Sequence, residues 1–342
     1  MRKFILLLVS LVLCTSFFSC AKETRAKTFF EYFDTVSVVY SYAGDSEENF
    51  KEMYSGVEKI LSKYHTLFDI YYSYEGINNL KTVNDNAGIA PVSVMPELIE
   101  FLLYAKEMHE TTGGEMNIAM GSVLKLWHEC REKAEIDPEG ATVPSKESLE
   151  EASLHTSIDS IVIDPEAGTV YISDPYCSID VGALGKGYAT VKASEWLEAM
   201  GAYGYVLNFG GNVRVIGGKP GGGSFVTGIT NPDKNSDEPF VATVMLKNIY
   251  CVTSGNYERY YTVGGEDFHH IIDKDTLYPS QYFSSVTVIS DDGALADTLS
   301  TALFCMSLED GMKLAEKMGV GVIFVDKEYN VTMTEDVKKL TR

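Results

Sequence analysis

Apolar residues recur along the chain at two spacings, and each change of spacing marks an element. From Phe33 to Tyr42 apolar and polar positions alternate, with Val36, Val38 and Tyr40 on one side, as in a strand that turns one face to a core. Asp45 and Glu48 then suit a helix start. Phe50, Met53, Tyr54, Val57, Ile60, Leu61 and Tyr64 follow at the spacing of a helix that buries one stripe. Pro96 opens a second helix carrying Leu98, Ile99, Leu102, Leu103 and Ala105, and Gly113-Gly114 stops it. Residues 131–157 are highly charged with scattered prolines and read as a surface excursion holding a short helix. Residues 161–163 and 169–172, on either side of Pro165 to Gly168, predict a hairpin. A helix running to Met200 precedes strand-like stretches at 205–208, 213–216, 225–229, 240–245, 285–289 and 320–325. Strands and helices interleave without a regular βαβ period, so the expected class is α+β rather than a doubly wound sheet. Gly217 to Gly223 has no helix after it and reads as an exposed loop rather than a phosphate cradle.

The N-terminus changes the picture of where such a fold would work. Arg2 and Lys3 precede an apolar run from Phe4 through Leu13, and polarity begins at Lys22-Glu23. A bilayer span needs about 20 apolar residues, so residues 1–19 read as an export leader. Ser19-Cys20 looks like a lipoprotein cleavage site at which the Cys20 thiol takes diacylglycerol; an ordinary leader with an incidental Cys20 is the alternative. The expected location is extracytoplasmic, lipid-anchored to a bacterial membrane, with residues 20–27 as a polar tether. Cys14 would be lost with the leader, and of the remaining cysteines, Cys130, Cys177, Cys251 and Cys305, none forms a Cys-x-x-Cys pair, which argues against a zinc or thioredoxin-like site. Cys305 reads as a small hydrophobe, and pairing among the other three stays open.

Twenty-eight basic residues against 49 acidic give a net charge of -21, and loss of Arg2 and Lys3 with the leader would take it to -23. That balance excludes a nonspecific nucleic-acid binder and a polybasic membrane patch. With 45% hydrophobic residues, the 342-residue chain can build a substantial core, as one large domain or two closely joined lobes.

Three segments carry candidate chemistry. Asp297 and Thr301 stand four residues apart in the small, apolar and strongly helical run Ala294 to Phe304, so their side chains share a face. A carboxylate and a hydroxyl together offer the hard oxygens that Mg²⁺ prefers, which points to phosphate chemistry; bonding within a packed helix is the plainer reading of the pair alone. Ser178 to Ala189 runs from a strand-like stretch into a helix through glycines that admit close approach of a ligand, yet Gly187 follows Lys186 where a P-loop requires Ser or Thr. Phe268-His269-His270-Ile271-Ile272-Asp273 sets two imidazoles beside an apolar pair and an acid, and on an extended strand only one of them should reach a pocket.

Together these segments resemble the ApbE family of Mg²⁺-dependent FAD:protein FMN transferases, whose sequences read roughly D-x-G-x-x-x-K-G-Y-A, H-H-I-I-D-P and A-D-x-x-x-T-A-L-F in that order. The likeness covers about residues 28–335. It is reinforced by Phe33-Asp34-Thr35, Phe68 to Tyr71, Gly114 to Ile118, Gly210-Gly211-Asn212 and Thr253 to Tyr260. Asn78 to Asn84 departs from a more acidic family segment, and Lys274 replaces a proline, which should alter only a turn. The resemblance implies a mixed architecture of two closely joined lobes with FAD between them. It implies Mg²⁺ held by Asp297, Thr301 and the carbonyl of Ala183, with Ser300 nearby. Asp180, Lys186 and Glu115 would contact FAD; Phe33, Tyr71, Met116 and Ile271 would wall it; Asn117 would read a polar edge. His270 would take a proton from a threonine hydroxyl of an acceptor redox protein, leaving FMN on a phosphoester and releasing AMP. A FAD pyrophosphatase and a non-catalytic FAD-binding lipoprotein are the competing readings.

Overall fold

The computed structural model describes residues 24–341; the expected leader and Cys20 lie outside them. An antiparallel sheet of eight strands runs, in spatial order, Arg25–Phe29, Ser37–Ser41, Tyr205–Phe209, Asn212–Ile216, Ile249–Gly255, Phe283–Ser290, Gly321–Asp326 and Val331–Met333. Both faces of its middle are covered. Val252, Val286, Val288, Val322 and Phe324 pack on one side with Leu299, Leu303 and Phe304 of the helix Gly293–Phe304. Val215, Cys251, Ile289 and Ile323 pack on the other with Phe225, Ile229, Val244 and Leu246 of a separate two-stranded hairpin. Strand Phe283–Ser290 is therefore buried almost throughout.

The helix Glu47–Phe68 forms as its stripe predicts: Ser46 caps it through the Asn49 amide, and Phe50, Met53, Val57, Leu61 and Tyr64 are buried. It lies on the helix Gly185–Ala199 so closely that a Cβ on Gly56 would stand 2.1 Å from the Trp196 ring. That second helix packs in turn on Gly293–Phe304, and these two carry Lys186, Asp297, Ser300 and Thr301 over the sheet.

Three expectations need correction. The tether ends early, because Arg25, Ala26 and Lys27 already pair with Ser41, Tyr40 and Val39. The strand expected from Phe33 begins at Ser37, since Phe33 and Asp34 take left-handed backbone at φ 57° and 48°. Its deeper face carries Ser37, Val39 and Ser41 rather than Val36, Val38 and Tyr40. Ser41 can be buried because its hydroxyl bonds the Asp45 carboxylate, which also accepts from Tyr205. Beyond the expected elements, Gly121–Ile136 is a full helix that takes up the start of the charged excursion, and Ile249–Gly255, Tyr260–Val263 and Glu266–His269 are strands.

Candidate active site

Asp297 projects from the middle of its helix into the first turn of Gly185–Ala199. Its Oδ2 accepts the Gly187 amide at 2.7 Å and its Oδ1 the Asn212 side-chain amide at 3.2 Å. The approach requires glycine: a Cβ on residue 187 would lie 2.3 Å from the Asp297 Cβ. Gly187 lies in the first turn of its helix, where amides have no acceptor within the helix, and Asp297 supplies one. The Ala183 carbonyl, just before that turn, accepts no backbone hydrogen bond among the described residues. The neighbouring hydroxyls form a directed chain. Ser300 donates to the Asp297 carbonyl at 3.0 Å, so its 2.8 Å contact with Ser254 is a bond that Ser254 donates. The 3.3 Å contact of Ser254 with Thr301 is then donated by Thr301, whose oxygen keeps its lone pairs. Ser300 is fully buried and stands behind the donors as a support.

These residues fit a hard cation. The Asp297 carboxylate, the Thr301 hydroxyl and the Ala183 carbonyl are oxygen donors, and the Asn212 Oδ1 is buried with no partner. Among the described residues no three His, Cys, Asp or Glu come together as a metal cluster, so a bound ion would need oxygens from substrate or water to fill its shell. Burial raises the pKa of Asp297, against the opposing pull of Lys186 and the Gly187 amide. Burial likewise lowers that of Lys186, helped by Arg259 and opposed by Asp297. A cation and a phosphate would each restore the charge that burial disfavours.

The two histidines separate cleanly. His269 packs edge-on against Phe304 at 5.6 Å, gives its Nε2 proton to the Ser280 carbonyl at 2.9 Å and accepts the Ile271 amide at Nδ1. Both nitrogens are spent. His270 gives its Nδ1 proton to the Arg259 carbonyl at 3.1 Å, which leaves the Nε2 lone pair available. Burial, and then the Arg259 charge, hold its pKa down at about 3, so this imidazole is neutral.

The other expected residues sit in segments fixed by their own hydrogen bonds and ring contacts. Asp180 is fixed by its amide on the Ile118 carbonyl at 2.9 Å, and Asn84 brackets the preceding residue through both the amide and carbonyl of Ile179. Burial raises the Asp180 pKa against the Gly182 amide and the charges of His128, Arg131 and Arg259. Tyr71 sits in a turn tied by Asp69, half exposed, with its ring 4.8 Å from that of His128. Phe33 meets His65 edge-on at 5.6 Å. Met116 and Ile271, expected to wall the ligand, are buried. Asn117 is committed to the fold at both ends, donating to Thr156 and accepting from Ala119. Lys274 does more than alter a turn: Asp273 shapes the turn by accepting the Asp275 and Thr276 amides, while Lys274 pairs with the half-buried Glu115 at 3.3 Å. Cys130, Cys177, Cys251 and Cys305 are free thiols.

Sequence reasoning missed Arg259. One of its guanidinium nitrogens, Nη2, donates to the carbonyls of Phe33 at 3.0 Å and Asp34 at 2.8 Å. Both are left-handed, a conformation that costs a non-glycine residue about 1–3 kcal/mol unless its surroundings hold it. It lay within the family-like segment Thr253 to Tyr260, where nothing in the sequence gave it a role of its own.

A buried carboxylate with free oxygen donors, a buried lysine and an imidazole with an open lone pair are the parts of a group-transfer enzyme working on a phosphate-bearing substrate. The chain belongs to the ApbE family, whose family model matches residues 34–324. It is 27% identical to the FAD:protein FMN transferase of Haemophilus influenzae over 100% of this chain and 99% of that one. It is 30% identical to the FAD:protein FMN transferase of Treponema pallidum over 74% and 72% of the two chains. The ApbE protein of Thermotoga maritima shares the fold with a TM-score of 0.81 at 28% identity, covering 94% of this chain and all of that one. The flavin transferase ApbE of Vibrio cholerae is alike in fold at a TM-score of 0.76, covering 93% of this chain and 99% of that one.

Proposed function

We propose that this protein moves the FMN half of FAD onto a threonine hydroxyl of an acceptor flavoprotein and releases AMP. The carrying observation is the unequal use of the two imidazoles: His269 has no nitrogen to offer, and His270 holds a lone pair at Nε2 with its other nitrogen fixed. The His270 Nε2 takes the acceptor's hydroxyl proton as its oxygen attacks the phosphorus on the riboflavin side of the pyrophosphate. The bond to the AMP phosphate breaks, and AMP leaves with the electron pair. Asp297, Thr301 and the Ala183 carbonyl would hold Mg²⁺, which when bound would neutralise the pyrophosphate and stabilise the charge that develops on it. Lys186 places its charge beside Asp297 to hold a phosphate oxygen, and Tyr71 and Phe33 offer aromatic faces to the ring systems.

Export and attachment through a lipid on Cys20 belong to the same proposal, supported by the basic, then apolar, then small-residue pattern that precedes it. The deciding experiment incubates purified protein with FAD, Mg²⁺ and a threonine-bearing acceptor, and follows acceptor mass and free FMN. An acceptor gaining the mass of FMN, with AMP formed in equal amount, supports transfer. FMN released free at the same rate without acceptor makes the protein a pyrophosphatase, and unchanged FAD makes it a binder.

A further inference from the structure

Arg259 joins two parts of the site that are more than 200 residues apart in sequence. Its side chain holds the left-handed Phe33–Asp34 turn through two carbonyls, and its own carbonyl accepts both the amide and the Nδ1 proton of His270, each at 3.1 Å. We propose that Arg259 is a positioning residue for the transfer reaction, locking the flavin-side turn and the base into one unit so that neither takes its working place without the other. The inference rests on the role given to His270 above.

Three observations carry it. The Arg259 carbonyl selects the Nδ1–H tautomer of His270, without which Nε2 could not accept a proton. The residue that supplies this carbonyl is itself held at its far end, so the carbonyl cannot swing while the clamp is made. The turn it holds has few other ties: the Phe33 amide reaches His65 Nδ1 at 3.3 Å and the Thr35 amide the Tyr32 carbonyl at 3.3 Å, both long. A guanidinium suits the task because its charge stays fixed while one nitrogen bridges two successive carbonyls.

The test compares Arg259→Ala, Arg259→Lys, Phe33→Ala and His270→Ala in acceptor flavinylation, with kcat and the KM for FAD measured separately at saturating Mg²⁺ and acceptor. Arg259→Ala should lower kcat about 10-fold or more, the scale of a misplaced reacting group, while KM rises less than about 3-fold. Arg259→Lys, which keeps a charged donor, should recover most of that loss. Phe33→Ala, which removes a wall and leaves the clamp, should act chiefly on KM. A folded Arg259→Ala protein with kcat within twofold of the parent, or a loss confined to KM, overturns the proposal. If Arg259→Ala does not fold, Arg259→Gln and Arg259→Lys carry the comparison, and kcat unchanged in both has the same force. His270→Ala separates the two levels. Full activity in that variant removes the base itself and this proposal with it, whereas an inactive His270→Ala beside unimpaired Arg259 variants removes the positioning role alone.

Discussion

His269 and His270 share a chemistry and differ in what their nitrogens are bonded to, which makes them a pair for testing. His270→Ala should lower acceptor flavinylation by about 10²-fold or more, the usual scale for loss of a general base, with FAD affinity nearly kept. Covalent FMN on the acceptor, read by in-gel fluorescence, is the measurement. Because burial and Arg259 hold the His270 pKa near 3, its protonation should take no toll on the rate between pH 8 and 5. An acid limb centred near pH 6.5 in the pH–rate profile would mean an imidazole in open water. His269 should matter for stability instead. Its pKa is lowered from 6.5 to about 4, chiefly by burial, so the unfolded chain binds the proton more readily. The stability it supports is complete above pH 6.5 and is lost as the pH falls towards 4, by about 3 kcal/mol at most. Urea midpoints at pH 7 and pH 4.5 should therefore diverge more in the parent than in His269→Gln, which keeps a donor for the Ser280 carbonyl and cannot charge.

Helices set the distances between these side chains, and two glycines show how tightly. A methyl on Gly187 cannot share space with Asp297, so Gly187→Ala should push the carboxylate away and raise the Mg²⁺ concentration for half-maximal turnover at least about 10-fold. Calorimetric Mg²⁺ binding in the presence of FAD should weaken in parallel. Gly56→Ala meets the Trp196 ring instead and should cost about 1–3 kcal/mol of stability by overpacking, seen as a lower denaturation midpoint. The Asp297–Thr301 pair was legible in sequence because one helical turn fixes both on one face. The Gly187 contact was not, because it depends on how two helices cross, 110 residues apart. The strand after Asp34 was misread for a related reason. Alternation reports which side of a strand is bulkier, and where both sides are covered the deeper one can hold Ser41, whose hydroxyl Asp45 receives, and also Ser37, whose buried hydroxyl has no partner among the described residues.

At the scale of the whole molecule one sheet gathers strands from both ends of the chain, and Arg259 ties the Phe33–Asp34 turn of one end to the His270 segment of the other although no local pattern links them. The three motifs identified the family; the sheet order, which only long-range pairing fixes, was beyond reach of the sequence. The proposed anchor belongs to this scale too. Cys20→Ser should release the protein from membranes into the soluble fraction with its catalytic rate unchanged, and continued lipid labelling of that variant would place the attachment elsewhere. The edge strand that begins at Arg25 then acquires a meaning in terms of height. Four residues separate it from Cys20, which makes five steps along the chain, and an extended chain gains about 3.4 Å per step, so the leash is no longer than about 17 Å. An enzyme on so short a leash cannot roam the compartment. Held there, it would sweep a thin layer above the bilayer and act on hydroxyls that its partners bring into that layer.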